Sequence, residues 1–175
     1  MKEYKKPTAL AKVGTAIGIG LMAGLAGTIA MTISQMIEMK ITGRKSSDTP
    51  ANAVREVFDI KPVTEGKSKE VSNKVHWVYG TSLGLVRGTL SLFGLKGLIA
   101  TSIHFITAWG AELLMLPALR VAPPVTKEKP KEILTDAGHH IVYAITAGIV
   151  FDAINKKKKA SAFSKESNST QKIYT

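Results

Sequence analysis

The chain has no cysteine. Disulfide staples, thiolate metal sites and cysteine nucleophiles are therefore excluded. Aromatic residues make up only 6% of the sequence, and they are not interleaved with the lysines as base-stacking surfaces require. Acidic residues are also few. Thirteen Asp and Glu stand against 24 Lys and Arg, leaving a net charge of +11. Such a surplus suits anionic phosphate, carried either by nucleic acid or by lipid head groups. Familiar catalytic signatures are missing. There is no GxxxxGKS phosphate loop, no HExxH and no Glu-x-x-His pair, and no GxSxG nucleophile elbow is expected. Gly18-Ile19-Gly20 lies inside an apolar stretch, outside the strand–helix context of a dinucleotide fingerprint.

The most informative feature present is an uncharged run from Val13 to Ile37, bracketed by Lys12 and Glu38. As a helix it is about 37 Å long, enough to cross a bilayer. The basic stretch Met1–Lys12 ahead of it resembles a secretory leader. Leader cores, however, run about 7–15 residues. This run is longer and no small-residue cleavage site follows, so an uncleaved span is expected.

Apolar residues gather in three further blocks, and charges crowd between them. Spans are expected at about 13–38, 75–95, 97–119 and 137–154. The fold class expected is all-α, an integral membrane four-helix bundle forming one domain over 1–155, with a basic, disordered tail over 156–175. The second and third spans, separated only by Lys96 and its flanking glycines, read as a tight hairpin. Ser47-Asp48-Thr49-Pro50 reads as a helix start. Val54, Val57 and Phe58 then share one face of a short amphipathic helix, either on the membrane surface or folded onto the bundle.

The first span carries Gly14, Gly18, Gly20 and Gly24, and the second carries Gly80, Gly84 and Gly88. Four-residue spacing of glycine lets helices approach closely in lipid. These seven are the expected packing positions, with the partner helix either internal or from a second copy. The bilayer is the first expected partner, a homo-oligomer or another membrane subunit the next. A soluble nucleic-acid-binding protein is disfavoured, because Val13–Ile37 would be an extreme core helix. Lys and Arg counts nearly balance, eleven on the termini and hairpin tip against twelve on the opposite connections. The undiluted Lys156–Lys159 run tips the expectation to cytoplasmic termini.

Ionisable groups inside spans are costly and mark functional candidates. Arg87, His104 and Glu112 form the first such set. The simpler reading has Arg87 snorkelling to the interface; the sharper one has Arg87 and Glu112 facing the bundle interior. Alternating spans also bring Glu38, His76, Asp136, His139 and His140 to one membrane face. Such a cluster supports three roles: structural hydrogen bonding, a proton or solute path, or a metal site. If a metal is bound, Glu38, His76, Glu112 and His140 are the ligands expected. No cofactor is otherwise expected, and no catalytic residue.

The pattern is similar to the YagU-like group of bacterial inner-membrane proteins. The likeness rests on the glycine-rich span running into Met36-Ile37-Glu38, on Trp77-x-Tyr79-Gly80, on His104 through Trp109 and Glu112 to Pro117, and on His140-x-Val142-Tyr143. It implies an integral inner-membrane protein linked to tolerance of acid or envelope stress, and it implies no catalytic residues. Proton or small-solute movement is the leading functional expectation. A structural assembly subunit and a membrane-embedded metal-dependent enzyme are the rivals.

Overall fold

The computed structural model describes residues 7–59 and 64–171. The expected basic N-terminal residues Lys2, Lys5 and Lys6, and the end of the expected tail at 172–175, lie outside the described residues. Five α-helices follow one another, α1 Ala9–Thr42, α2 Thr49–Phe58, α3 Glu65–Leu92, α4 Gly97–Ala118 and α5 Pro130–Gln171, with a 3₁₀ turn at Val125–Lys127 before the last. There is no strand among the described residues.

Local chemistry sets most of the boundaries. Thr8 Oγ1 accepts from the Ala11 N–H at 3.2 Å, capping α1. Gly43, at φ 73°, closes α1 with its N–H on Met39 O. Proline stands at the first turn of α2, where its missing N–H costs nothing. Gly94, at φ 80°, turns the chain between α3 and α4.

Among the described residues, three helices are long and apolar enough to cross a membrane: Ala9–Thr42, Gly97–Ala118 and α5 over Pro130–Lys158. α3 falls short. Its first turns carry Lys67, Lys69, Glu70 and Lys74, and small polar residues dilute the rest. The all-helical expectation thus holds, with three self-sufficient apolar helices rather than four.

Packing is inverted relative to a water-soluble core. On α1 the buried residues are mostly small, Ala16, Gly20, Ala23, Gly24, Gly27 and Thr28 among them. Val13, Ile17, Leu21, Leu25, Ile29 and Ile33 form an exposed stripe on the opposite face. An outward apolar band of this size suits hydrocarbon rather than water.

α1 is the central helix, packed most extensively on α3 and α5. α4 leans chiefly on α5, and α2 on α3. α3 and α4 are joined as a hairpin, yet share less surface with each other than with α1 and α5 respectively. At the α1–α3 crossing Gly20 and Gly24 face Gly84 and Gly88, and a Cβ on Gly84 would stand 2.7 Å from Gly24 Cα. Gly80 sits against Thr28. Gly14 and Gly18 differ from expectation: nothing lies within 4 Å of where their Cβ atoms would be. The α1–α3 contact runs through the later glycines, and the first pair looks outward. Two unforeseen glycines do pack, Gly27 on the Tyr143 ring and Gly148 on Thr101.

Two expected boundaries shift. α3 begins at Glu65 rather than near 75, and α5 extends from Pro130 to Gln171. The Lys156–Lys159 run ends the apolar span but not the helix, because lysine is a good helix former and neither Pro nor Gly follows it before Gln171. Helix thus occupies the expected tail through Gln171.

Candidate functional site

At the end of the bundle formed by the C-termini of α1 and α4 and the start of α5 lies a cavity of about 740 Å³. Val54, Val57 and Phe58 of α2 form one wall. The rest of the lining mixes apolar side chains, Met31, Leu113, Leu116 and Ile133 among them, with polar ones. Glu38, His76, Tyr79, Glu112, Asp136, His139 and His140 all line it. Five of these, Glu38, His76, Asp136, His139 and His140, are the residues expected together at one face; with Glu112 they line one cavity and divide into three groups.

The first group is the most chemically suggestive. His140 Nε2 lies 2.8 Å from Glu112 Oε2, while its Nδ1 is 3.0 Å from the Asp136 carbonyl oxygen. A carbonyl only accepts, so Nδ1 carries a hydrogen. Nε2 then faces a carboxylate, and one hydrogen must sit between them: either His140 is imidazolium or Glu112 is protonated. The spacing of four residues places Asp136 and His140 on one face of α5, and Asp136 Oδ2 accepts from Trp109 Nε1 of α4 at 2.8 Å. One ligand-type atom from each of Glu112, Asp136 and His140 lies within 4.8 Å of the other two.

The second group is anchored on α1. Glu38 accepts from Arg44 Nη2 at 2.8 Å and from Thr42 Oγ1 at 2.9 Å. His139 Nδ1 is 2.9 Å from Ser34 Oγ, and its Nε2 is 4.0 Å from Glu38. The third is His76. Thr32 donates to Thr28 O, so its oxygen accepts from His76 Nε2 at 3.0 Å. Of the four ligands expected from sequence, Glu112 and His140 are therefore brought together. Asp136 takes the third place, while Glu38 and His76 are engaged elsewhere. At the cavity rim, outside the apolar helices, Glu128 has its carboxyl held above the usual range, first by burial and then by the Glu132 carboxylate.

Beyond the cavity a line of buried polar side chains continues toward the other end of the bundle. Tyr143 donates to Gly80 O at 2.7 Å. His104, fully buried, donates from Nε2 to Leu83 O at 3.0 Å and lies edge-on to Tyr143. Arg87, 0% exposed, neither snorkels nor meets Glu112. Its Nη2 donates to Asp152 Oδ1 at 2.5 Å, and the guanidinium stands 4.6 Å from the centre of the Phe151 ring. Asp152 Oδ2 also accepts from the Gly97 N–H at 3.2 Å. From Asp136 to Asp152, α5 rises about 24 Å.

Asp152, Trp109 and Tyr143 are the residues the sequence reading did not assign. Asp152 lies two residues inside the end of the fourth expected span, 137–154, and carries no role in that reading. Its depth was readable, because α3 and α5 run in the same direction and place Arg87 and Asp152 at similar heights. The letters Gly80-Thr81-Ser82-Leu83-Gly84 do spell GxSxG. They lie within α3, where Ser82 Oγ donates to Tyr79 O, so they make no strand-to-helix elbow.

No known protein family matches the chain, and neither does any characterised protein or solved structure.

Proposed function

We propose that this is a polytopic protein of the bacterial inner membrane that moves protons or a small cationic solute. The observation that carries the reading is the cavity at one end of the bundle, lined by five carboxylates and three imidazoles against only two cationic side chains, Arg44 and Lys131. Intramembrane ionisable groups are expensive and commonly line ion or proton pathways. The line Tyr143–His104–Arg87–Asp152 extends polar groups from that cavity toward the opposite end. In this reading α3 crosses as a fourth span, its Arg87 neutralised by Asp152 and its glycines shielded by α1. The termini face the cytoplasm, and the physiological role is tolerance of acid or envelope stress.

The test is flux in proteoliposomes carrying a pH-sensitive dye, under an imposed proton gradient and then under gradients of small cations. The wild type dissipates one of these gradients, and Glu112→Gln falls to the level of empty vesicles. Wild-type vesicles indistinguishable from empty ones would refute the proposal. A structural assembly subunit is the second reading. It is favoured by Gly14 and Gly18, a small-residue pair on which no helix among the described residues packs.

A further inference from the structure

Glu112, Asp136 and His140 have the composition of a metal-binding set: one imidazole nitrogen and two carboxylate oxygens, drawn from two helices. Their spacing suits an ion. Bonds of about 2.0–2.2 Å to one centre separate its ligands by about 3–4.4 Å, and these atoms lie within 4.8 Å of one another. Side-chain adjustments of a few tenths of an ångström close the difference.

The surroundings argue for the same chemistry. Histidine ligands characteristically donate their second ring N–H to a carbonyl or carboxylate, which fixes the tautomer and aims the other nitrogen. His140 does so, with Nδ1–H on the Asp136 carbonyl. Asp136 is itself oriented by the Trp109 indole N–H. His140 is 4% exposed, so its ring cannot swing away into solvent. On the same cavity wall His139, 6% exposed, has a buried Nε2 without a hydrogen-bond partner. Glu112 and Asp136 remain half-open to the cavity, which leaves an entry path and coordination positions for water or substrate.

We propose that Glu112, Asp136 and His140 bind one divalent first-row transition-metal ion at the cavity wall. The inference deepens the cation reading above by naming a cation class, and it rests on that reading only for the cavity as the route of access.

The experiment uses full-length protein purified in detergent, stripped with chelator and equilibrated separately with Zn²⁺ and Mn²⁺. Bound metal is measured by elemental analysis, and X-ray absorption reads the coordination shell of the Zn²⁺ form. The wild type is expected to hold one ion per chain in an N/O shell containing a single imidazole. Asp136→Asn and Glu112→Gln, each an isosteric change, are expected to abolish stoichiometric binding. Trp109→Phe removes only the orienting hydrogen bond and is expected to weaken binding about 10–100-fold. Glu70→Gln, an exposed position away from the cavity, is expected to leave binding unchanged. Helical circular dichroism and a single size-exclusion peak show which variants fold, and any one folded ligand variant suffices for the comparison. Absence of stoichiometric metal in the folded wild type would overturn the inference, as would metal that survives in folded Asp136→Asn or Glu112→Gln. The flux assay separates the two proposals. Proton flux without metal binding overturns the metal site alone, whereas metal binding without flux of any cation overturns the transport reading alone.

Discussion

Replacing Gly84 by alanine adds one methyl group at the crossing of α1 and α3. That Cβ would stand 2.7 Å from both Gly24 Cα and Gly24 N. Carbon atoms pack at about 3.5–4.0 Å, so the helices must separate by roughly 1 Å. The neighbouring contacts at Gly20 and Gly88 then lose about a quarter to a half of their dispersion energy. The obstacle is backbone, which no rotamer change can move. Overpacking costs about 1–3 kcal/mol, and the upper end applies here. Alanine's better helix propensity returns up to about 1 kcal/mol. The expected net loss is about 2 kcal/mol or slightly more, a factor of about 30 or above in the folding equilibrium. Gly18→Ala is the matched control, because its Cβ meets nothing within 4 Å. It gains the propensity term and is expected to be neutral or slightly stabilised. Unfolding in mixed micelles of increasing SDS fraction, followed by tryptophan fluorescence, measures both. Equal midpoints for Gly84→Ala and Gly18→Ala would refute the argument that these helices meet backbone to backbone.

The remaining predictions concern polar groups and topology. Asp152→Ala strands the buried Arg87 and is expected to cost about 3 kcal/mol in the same assay, the lower end of the usual range because Asp152 is 38% exposed; Arg87→Met combined with Asp152→Leu should recover most of that loss. Tyr143→Phe removes the hydrogen bond to Gly80 O and should cost about 1 kcal/mol. Glu128 has a raised folded-state pKa, so it holds its proton more tightly folded than unfolded, and its contribution to stability falls as pH rises through the carboxylate range. The thermal midpoint of Glu128→Gln should therefore gain on the wild type between pH 4 and pH 7, and a constant difference would contradict the assignment. The cysteine-free background permits single-cysteine labelling in intact cells: Ser46→Cys and Lys96→Cys should react from opposite sides of the membrane if α3 crosses, and labelling of both from one side would exclude the fourth crossing.

Much of the fold was legible because its strongest signal, hydropathy, is also the strongest physical constraint. Val13–Ile37 announces α1 without help from any other residue. α3 was legible as a helix with a glycine face but not by its length, since its first turns are too charged to read as a span. The Lys156–Lys159 boundary misled for a related reason: charge ends burial in hydrocarbon, while helicity depends on propensity and on the absence of breakers. Four-residue spacing identified glycines suited to close packing, yet Gly14 and Gly20 carry the same spacing signal and only Gly20 is packed. Which pair is used depends on where α3 crosses, a tertiary fact. The convergence of Glu112 with Asp136 and His140 followed from alternating spans. The pairing within that cluster did not, because it depends on helix rotation, and Asp152 escaped notice because an acid near a span end looks like punctuation.

The ion pair that ties α3 to α5 also sets an order of events during synthesis. Arg87 and Asp152 are 65 residues apart in the chain. When α3 leaves the ribosome its guanidinium has no counter-ion, and its glycines have only α1 to cover them. α4, apolar enough to enter lipid by itself, is completed before α5 exists. If α3 crosses as the proposed fourth span, the membrane-insertion machinery must hold it back, or shelter it beside α1, until Asp152 arrives. Nascent chains truncated just before residue 152 should leave α3 extractable by alkali, and extending them past that residue should lock it in. A four-span topology would thus make biogenesis depend on the last apolar helix rather than on the first.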